Sequence, residues 1–342
     1  MKRDDMPPAV ITRLSSVTIA VPARLHLGFL DLNGGLGRRF GSIGLTIEDI
    51  RTRLVAEPAR AISATGPSAD RAAAFARRIA EGLGIKGGVR ITVDEAIPEH
   101  AGLGSGTQLG LAVGTAYARA YGLPAEPRRI AQVLGRGARS GIGIGAFEMG
   151  GVLVDGGRPD EGTEPAPIVA RMDFPEEWRV LLVLDRAARG LHGSAEVEAF
   201  QGLPPFPAET AAHLCRLVLM CALPALAEGD LERFGAAVTE IQDAVGDYFA
   251  DSQGGRFASP GVAEALSWLR SQGAAGVGQS SWGPTGFAFA GDADAGEALV
   301  AEARAKWAAD PRLRFMLCRG RNRGGHIEIG GAVGARRDVL RG

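Results

Sequence analysis

Residues 98–110 read PEHAGLGSGTQLG. Ahead of them, GVRITVDEAIP (88–98) has the β-branched pattern of a strand. Behind them, SGTQLGLAVGTAYARAYG (105–122) places Leu109, Val113, Ala116 and Ala120 at helical spacing. A turn this dense in glycine lets backbone N–H groups face an anion, and a helix N-terminus adds about half a positive charge there. Gly102, Gly104, Ser105, Gly106 and Thr107 are therefore candidate phosphate-binding residues. Ser105 and Thr107 add hydroxyls, and Ser105 is also a candidate magnesium ligand. The plain alternative is a tight strand-to-helix turn with Ser105 as N-cap. Other phosphate motifs fit poorly. Walker A needs a lysine that this loop lacks, and the dinucleotide fingerprint needs Gly or Ala where Thr107 stands. GIGIGA (141–146) meets the alanine form of that fingerprint but follows RGARS rather than a strand.

The chain has 342 residues, enough for two domains or one large one with a sizeable core. Its formal net charge is −1, which argues against a general binder of nucleic acid or of membrane surfaces. Nearly all the positive charge is arginine, an excess that reads first as the mark of a GC-rich coding sequence, although single arginines suit bidentate contacts with phosphate or carboxylate. Three cysteines, Cys215, Cys221 and Cys318, form no CxxC pair, so neither a disulfide framework nor a zinc site is expected. Reduced cysteines and the absence of a signal-like start point to a cytoplasmic protein. No unbroken apolar run of about 18 residues occurs, so no membrane span is expected.

Strands are expected over SVTIAV (16–21, bounded by Pro22), RLHLGFLDL (24–32), GSIGLTIE, RTRLVAE and RVLLVLD (179–185). SADRAAAFARRIAEGLG (68–84) reads as an amphipathic helix, and further helices fall around 208–227, 230–248 and 260–272. RPDEGTEPAPI (158–168) is the best linker candidate. The expected fold is α+β with two lobes meeting near the glycine-rich loops. The first domain is expected over 1–165 and the second over 166–342.

Three ordered stretches then carry a resemblance: VPARLHLGFLDLNGG (21–35), PEHAGLGSGTQL (98–109) and GQSSWGPTGFAF (278–289). Together they resemble the GHMP kinase superfamily of small-molecule kinases. More closely they are similar to its non-kinase branch, the β-ribofuranosylaminobenzene 5′-phosphate synthases. The resemblance spans roughly residues 16–331; the first and third stretches are its specific part. It implies a GHMP-kinase-like fold, with an N-terminal α/β lobe carrying the glycine-rich loop and a C-terminal ferredoxin-like α/β sandwich. It further implies coupling of 4-aminobenzoate, or a related para-substituted benzoate such as 4-hydroxybenzoate, to phosphoribosyl pyrophosphate. Carbon dioxide and pyrophosphate would leave, in an early step toward tetrahydromethanopterin, with Mg²⁺ and without ATP. A homodimer is expected from the family. The rival reading is an ATP-dependent GHMP-type kinase. Those kinases favour GLGSSA in the loop and often an aspartate in a stretch like SGxD; here the loop is GLGSGT and Gly143 stands where that carboxylate would be. A kinase uses such a carboxylate on the hydroxyl proton, so its absence weakens the kinase reading.

Arg24 and His26, two apart on one strand, face the same side and are the candidate catalytic residues. Arg24 would hold the substrate phosphate or carboxylate, and His26 would bond the benzoate or assist the leaving group. The alternatives are a surface ion pair and a satisfied half-buried histidine. Arg139, Ser140 and Gly141 offer a second anion nest, or only a glycine-rich bend. In DRAARGLHGSAE (185–196), Arg186, Arg189 and His192 are candidate substrate ligands and Glu196 a candidate metal ligand; the alternative is a solvated loop. Ser280, Ser281, Trp282 and Thr285 carry the late motif as candidate substrate-binding residues, with Trp282 stacking either on a ligand ring or in the core. Asp31, ahead of NGG, reads as a turn initiator.

Overall fold

The computed structural model describes residues 14–190, 198–200 and 202–332. The chain opens with two long antiparallel strands, β1 (Ser15–Asp31) and β2 (Arg38–Ala59). Pro22 does not end the first strand. It lies where the β1–β2 register slips, between Pro22 and Ala23, and its missing N–H costs no regular ladder bond there. Asp31 opens the turn as expected, its Oδ1 accepting the N–H groups of Asn33 (2.9 Å) and Gly34 (3.0 Å).

Next come β3 (Ser63–Thr65), α1 (Ala69–Leu83), β4 (Gly88–Glu95), α2 (Ser105–Ala120), α3 (Pro127–Val133), α4 (Ile142–Glu148), β5 (Val152–Asp155), β6 (Arg158–Pro159) and β7 (Ile168–Met172). GIGIGA thus falls in a helix, α4, rather than in a phosphate turn. The second half contributes β8 (Arg179–Asp185), α5 (Ala208–Glu228), α6 (Leu231–Gln253), α7 (Pro260–Ser271), β9 (Ala275–Gln279), β10 (Thr285–Ala290), α8 (Ala293–Lys306), β11 (Leu313–Arg319) and β12 (His326–Ala332).

Among the described residues there are two main sheets. The first runs β12-β1-β2-β4-β3, with β5 and β6 joined to β2, and β7 to β5; the second runs β11-β8-β10-β9. The molecule is therefore α+β, and the second sheet with α6, α7 and α8 forms the expected sandwich. The boundary at 165 is not where the sheets part. β7 and β12, both beyond it, complete the N-terminal sheet. The acidic 158–168 stretch begins with a short bridge to β2 rather than a free linker.

Apolar side chains of β1 pack two ways. Val17, Ile19 and Val21 join α1 and α2 in one core, while Leu25, Leu27 and Phe29 join α5, α6 and the second sheet in another. The second core crosses both lobes, so the region between them is fixed by packing. By length and composition alone α5 is apolar enough to cross a membrane, although polar residues break its runs. Its Ala211, Leu214, Val218, Ala222 and Leu226 side chains are buried in that core.

Candidate active site

Three distant stretches meet at one carbonyl oxygen. Gly102 O accepts from Arg24 Nη1 (2.5 Å) and from Ser280 Oγ (2.8 Å). Ser280 Oγ accepts in turn from the backbone N–H of His26 (2.9 Å), and the N–H of Arg24 donates to Leu103 O (3.2 Å). Strand β1 and the β9–β10 turn thus clamp the glycine-rich loop from both sides. Glycine is required at the contact. Gly102 has φ +80°, and a Cβ there would lie 2.2 Å from Ser280 O. A Cβ on Gly283 would lie 2.3 Å from Gly102 N. The turn itself is closed by Ser280 N–H donating to Thr285 O (2.9 Å).

Gly104, at φ +81°, is the N-cap of α2; Ser105 is the first helical residue and not the cap. A Cβ at Gly104 would sit 3.3 Å from both Cγ and Nε of Arg24, so that side chain lies flat over the loop. The N–H groups of Thr107 (3.1 Å) and Gln108 (3.0 Å) return to Gly104 O. Among the described residues, the N–H groups of Gly104, Ser105 and Gly106 meet no acceptor. These are the donors that a helix start offers to an anion.

Two arginines that the sequence reading missed flank those donors. A Cβ on Gly106 would come within 2.9 Å of Arg71 Nη2 and 3.4 Å of Arg136 Nη1. Arg71, from α1, also pairs with Glu99 (2.8 Å). Arg136 lies over the Phe75 ring (5.3 Å), and its buried Nε has no hydrogen-bond partner among the described residues. Burial, then the neighbouring Arg71 and Arg78, lower its pKa below the usual guanidinium value. A cation held beside like charges next to open N–H groups is an arrangement that a polyanion relieves.

His26 is buried, its ring 4.5 Å from that of Phe29. A bulge aims it. His26 pairs with Gly44 and Gly28 with Ile43, so Leu27 is the extra residue. Gln242 Nε2 donates to the freed Leu27 O (2.7 Å), while Gln242 Oε1 accepts from Gln279 N (2.7 Å). Burial, and secondarily the charge of Arg24, pull the His26 pKa down from 6.5 to about 3. The imidazole is therefore neutral at physiological pH and serves as a hydrogen-bonding group, not as a cation.

A stability prediction follows from that shift. Between its folded value of about 3 and its ordinary 6.5, the unfolded chain binds a proton at His26 that the folded chain does not. Stability is thus full above pH 6.5 and falls as pH drops through this window, at up to ~1.4 kcal/mol per pH unit. His26→Gln is expected to flatten that part of the acid sensitivity. Urea midpoints of both proteins at about pH 7 and about pH 5 check it; parallel losses would place the acid sensitivity in other groups.

The second glycine-rich bend already has an anion, one of the chain's own. Asp155 is buried, and its Oδ2 accepts from Ser42 Oγ, from Ser140 Oγ (3.0 Å) and from Gly141 N (2.9 Å). Its Oδ1 accepts from Gly157 N (2.9 Å). Burial raises its pKa against the opposing pull of these donors. The donors of Ser140 and Gly141 are thus turned to Asp155, which replaces the reading of this bend as a phosphate nest. Arg139 lies over the Phe200 ring (5.0 Å), on the aromatic side of the site. Gly143 packs on the loop helix, where a Cβ would lie 3.0 Å from Thr107 Cγ2. A carboxylate at position 143 would meet Thr107.

Trp282 is buried against Phe249 (4.3 Å between ring centroids) and Phe200 (5.4 Å). Ser281 has φ +58°, and its carbonyl accepts from Gln279 Nε2 (3.0 Å). Thr285 is buried at the base of the turn. Gly190 packs on Trp282, its N–H donating to His100 O (3.3 Å), which brings the exposed Arg189 near the loop. Arg186 is not brought there. It lines a groove with Arg304, Trp307 and Asp310 on the flank of the second lobe. His192 and Glu196 lie outside the described residues. Among the described residues no three His, Cys, Asp or Glu side chains cluster. Of the candidate metal ligands, Ser105 brings only a hydroxyl, at the first turn of α2.

Comparison with known proteins agrees with this geometry. Residues 70–151 match the GHMP kinases N terminal domain, and 222–309 match GHMP kinases C terminal. A Methanothermobacter thermautotrophicus protein named beta-ribofuranosylphenol 5'-phosphate synthase is 34% identical over 327 residues, covering 90% of this chain and 97% of the relative. A protein of the same name from Archaeoglobus fulgidus is 39% identical over 238 residues, 66% of this chain and 75% of the relative. Among solved structures, Lactococcus lactis galactokinase (TM-score 0.66, 14% identity, 91% of this chain, 95% of that one) has the same fold. So does homoserine kinase from Cytophaga hutchinsonii (TM-score 0.62, 15% identity, 96% of this chain, 100% of that one). With the matched domains, the shared fold and a relative of that name along nine-tenths of its length, the chain belongs to the beta-ribofuranosylphenol 5'-phosphate synthase family, on the GHMP kinase fold.

Proposed function

We propose that this protein couples phosphoribosyl pyrophosphate to a para-substituted benzoate and releases carbon dioxide and diphosphate. The observation that carries the reading is the open start of α2, with the N–H groups of Gly104, Ser105 and Gly106 flanked by Arg71 and Arg136. The diphosphate of the activated sugar lies there. Arg24, flat over Gly104, would then face the leaving oxygen and the anomeric carbon. As the C–O bond to diphosphate breaks, positive charge builds on the sugar and negative charge on the leaving group. Donors fixed in advance lower that barrier. Magnesium, when bound, neutralises part of the diphosphate charge.

The ring carbon that bears the carboxylate forms the new C–C bond, its electrons supplied by the para substituent. The bond to the carboxylate then breaks, carbon dioxide departs, and its electron pair restores the aromatic ring. No hydroxyl proton has to be removed, which agrees with glycine, not aspartate, at position 143. The relatives' name specifies a phenol product, which on this chemistry corresponds to a para hydroxyl on the acceptor.

The test supplies the purified protein with magnesium, phosphoribosyl pyrophosphate and carboxyl-labelled 4-hydroxybenzoate or 4-aminobenzoate, and traps the gas. Labelled carbon dioxide with equimolar diphosphate is expected. Consumption of ATP on a hydroxyl substrate, with no gas from either benzoate, would overturn the proposal in favour of a kinase. Arg136→Ala is expected to weaken phosphoribosyl pyrophosphate binding by about tenfold or more. Calorimetry reads this directly; an unchanged Kd would remove Arg136 from the diphosphate site.

A further inference from the structure

Glu99 lies on the connection between β4 and α2, just ahead of the glycine-rich loop. Its Oε1 takes two partners from the start of α1, Ser68 Oγ (2.6 Å) and Arg71 Nη1 (2.8 Å). Ser68 is the N-cap of α1, yet its side chain bonds none of that helix's N–H groups. A cap serine ordinarily does so and stabilises its helix. Here the hydroxyl turns to the carboxylate instead, and Ser68 sits in the left-handed region at φ +58°. His100, next to Glu99, is left-handed as well (φ +57°), and its carbonyl accepts from Gly190 N. Residues other than glycine enter that region at a cost. One carboxylate is thus framed by two strained residues and takes a hydroxyl away from a helix cap.

The carboxylate answers a problem of charge. A single Cβ on Gly106 would meet Arg71 Nη2 at 2.9 Å and Arg136 Nη1 at 3.4 Å, so two cations crowd one point. Like charges repel at that range, and a guanidinium on a long stem gains freedom by leaving for water. Glu99 supplies the counter-charge. It holds Arg71 by Nη1 and leaves Nη2 at Gly106. Against the cost of burial, the contacts of Ser68 and Arg71, then the charges of Arg71 and His100, hold the Glu99 carboxyl below the usual carboxylate range. We infer that Glu99 is a positioning residue, which acts through Arg71 by holding its guanidinium beside the open N–H groups of α2. The inference rests on the reading of that helix start as the diphosphate site, and adds to it a residue that touches no substrate.

Charge and position pull in opposite directions, so the sign of the effect decides. A carboxylate repels a nearby diphosphate, and its removal on charge alone tightens binding. Removal of a positioning group weakens binding, because the released guanidinium must be ordered again when the anion arrives. The experiment titrates phosphoribosyl pyrophosphate with magnesium, by calorimetry, into wild type, Glu99→Ala, Arg71→Ala and the double variant. Glu99→Ala is expected to raise Kd about fivefold when Arg71 is present, and by less than about twofold when it is absent. Ser68→Gly suits the left-handed backbone and removes only the hydroxyl, so its Kd is expected within about twofold of wild type. Should Glu99→Ala fail to fold, Glu99→Gln keeps an acceptor for Ser68, drops the charge, and carries the same cycle. Three results would each overturn the assignment while leaving the coupling reaction in place: tighter or unchanged binding without Glu99, equal losses with and without Arg71, or an equal loss in Ser68→Gly. Wild-type protein that binds no phosphoribosyl pyrophosphate would instead overturn the reading of the helix start, and the role of Glu99 with it.

Discussion

Gly283→Ala is expected to lower kcat/KM by about 10²-fold, with a smaller loss of stability of ~1–3 kcal/mol. The added methyl would stand 2.3 Å from Gly102 N and 2.4 Å from both Ala101 C and Gly102 Cα. All three atoms are backbone, so no rotamer change makes room, and either the loop or the β9–β10 turn must shift. A shift there moves the carbonyl that Arg24 and Ser280 both bond. The open N–H groups of α2 follow it, because they are covalently continuous with the loop. Steady-state kinetics with a thermal melt on the same sample checks this. Activity within about threefold of wild type, with an unchanged melting temperature, would show that the loop tolerates displacement.

Arg24→Ala is expected to cost about 10³-fold in kcat/KM, the scale on which preorganised charge stabilisers act. The loss has two parts. On the proposed mechanism a cation disappears from the place where the leaving group gains charge, and Gly102 O loses its bond from Nη1. Arg24→Lys restores the charge without the planar fork that spans Gly104 and reaches Gly102, so only partial recovery is expected. The melting temperature should fall by only a few degrees, since Ser280 still holds the loop. Near-normal turnover in the alanine variant would make Arg24 a loop anchor and nothing more.

The glycine-rich loop and the late GQSSWGPT motif were legible from local pattern and resemblance, and the hydrogen bonds join them through Gly102 and Ser280. What stayed hidden depends on three-dimensional approach. Arg71 is one arginine among several on an amphipathic helix, and Arg136 follows α3 in a glycine-rich bend. Only their nearness to Gly106 distinguishes them. Ser140 and Gly141 had the composition of an anion nest, but strand β5 delivers Asp155 into it. No local pattern in VLVDGG announces that destination. Pro22 misled in the opposite way, because a proline at a register slip leaves a strand intact. Strands from beyond the expected division at 165 return to the first sheet, a pairing that no local pattern announces.

That return has a consequence for how the protein matures. On a ribosome, β1 emerges well before its neighbour β12 and before the serine that fixes its loop, which follows His26 by 254 positions. The glycine-rich loop acquires its clamped shape only after Ser280 has been made. A product terminated ahead of Ser280 would therefore keep the glycine-rich sequence without the grip that sets its shape.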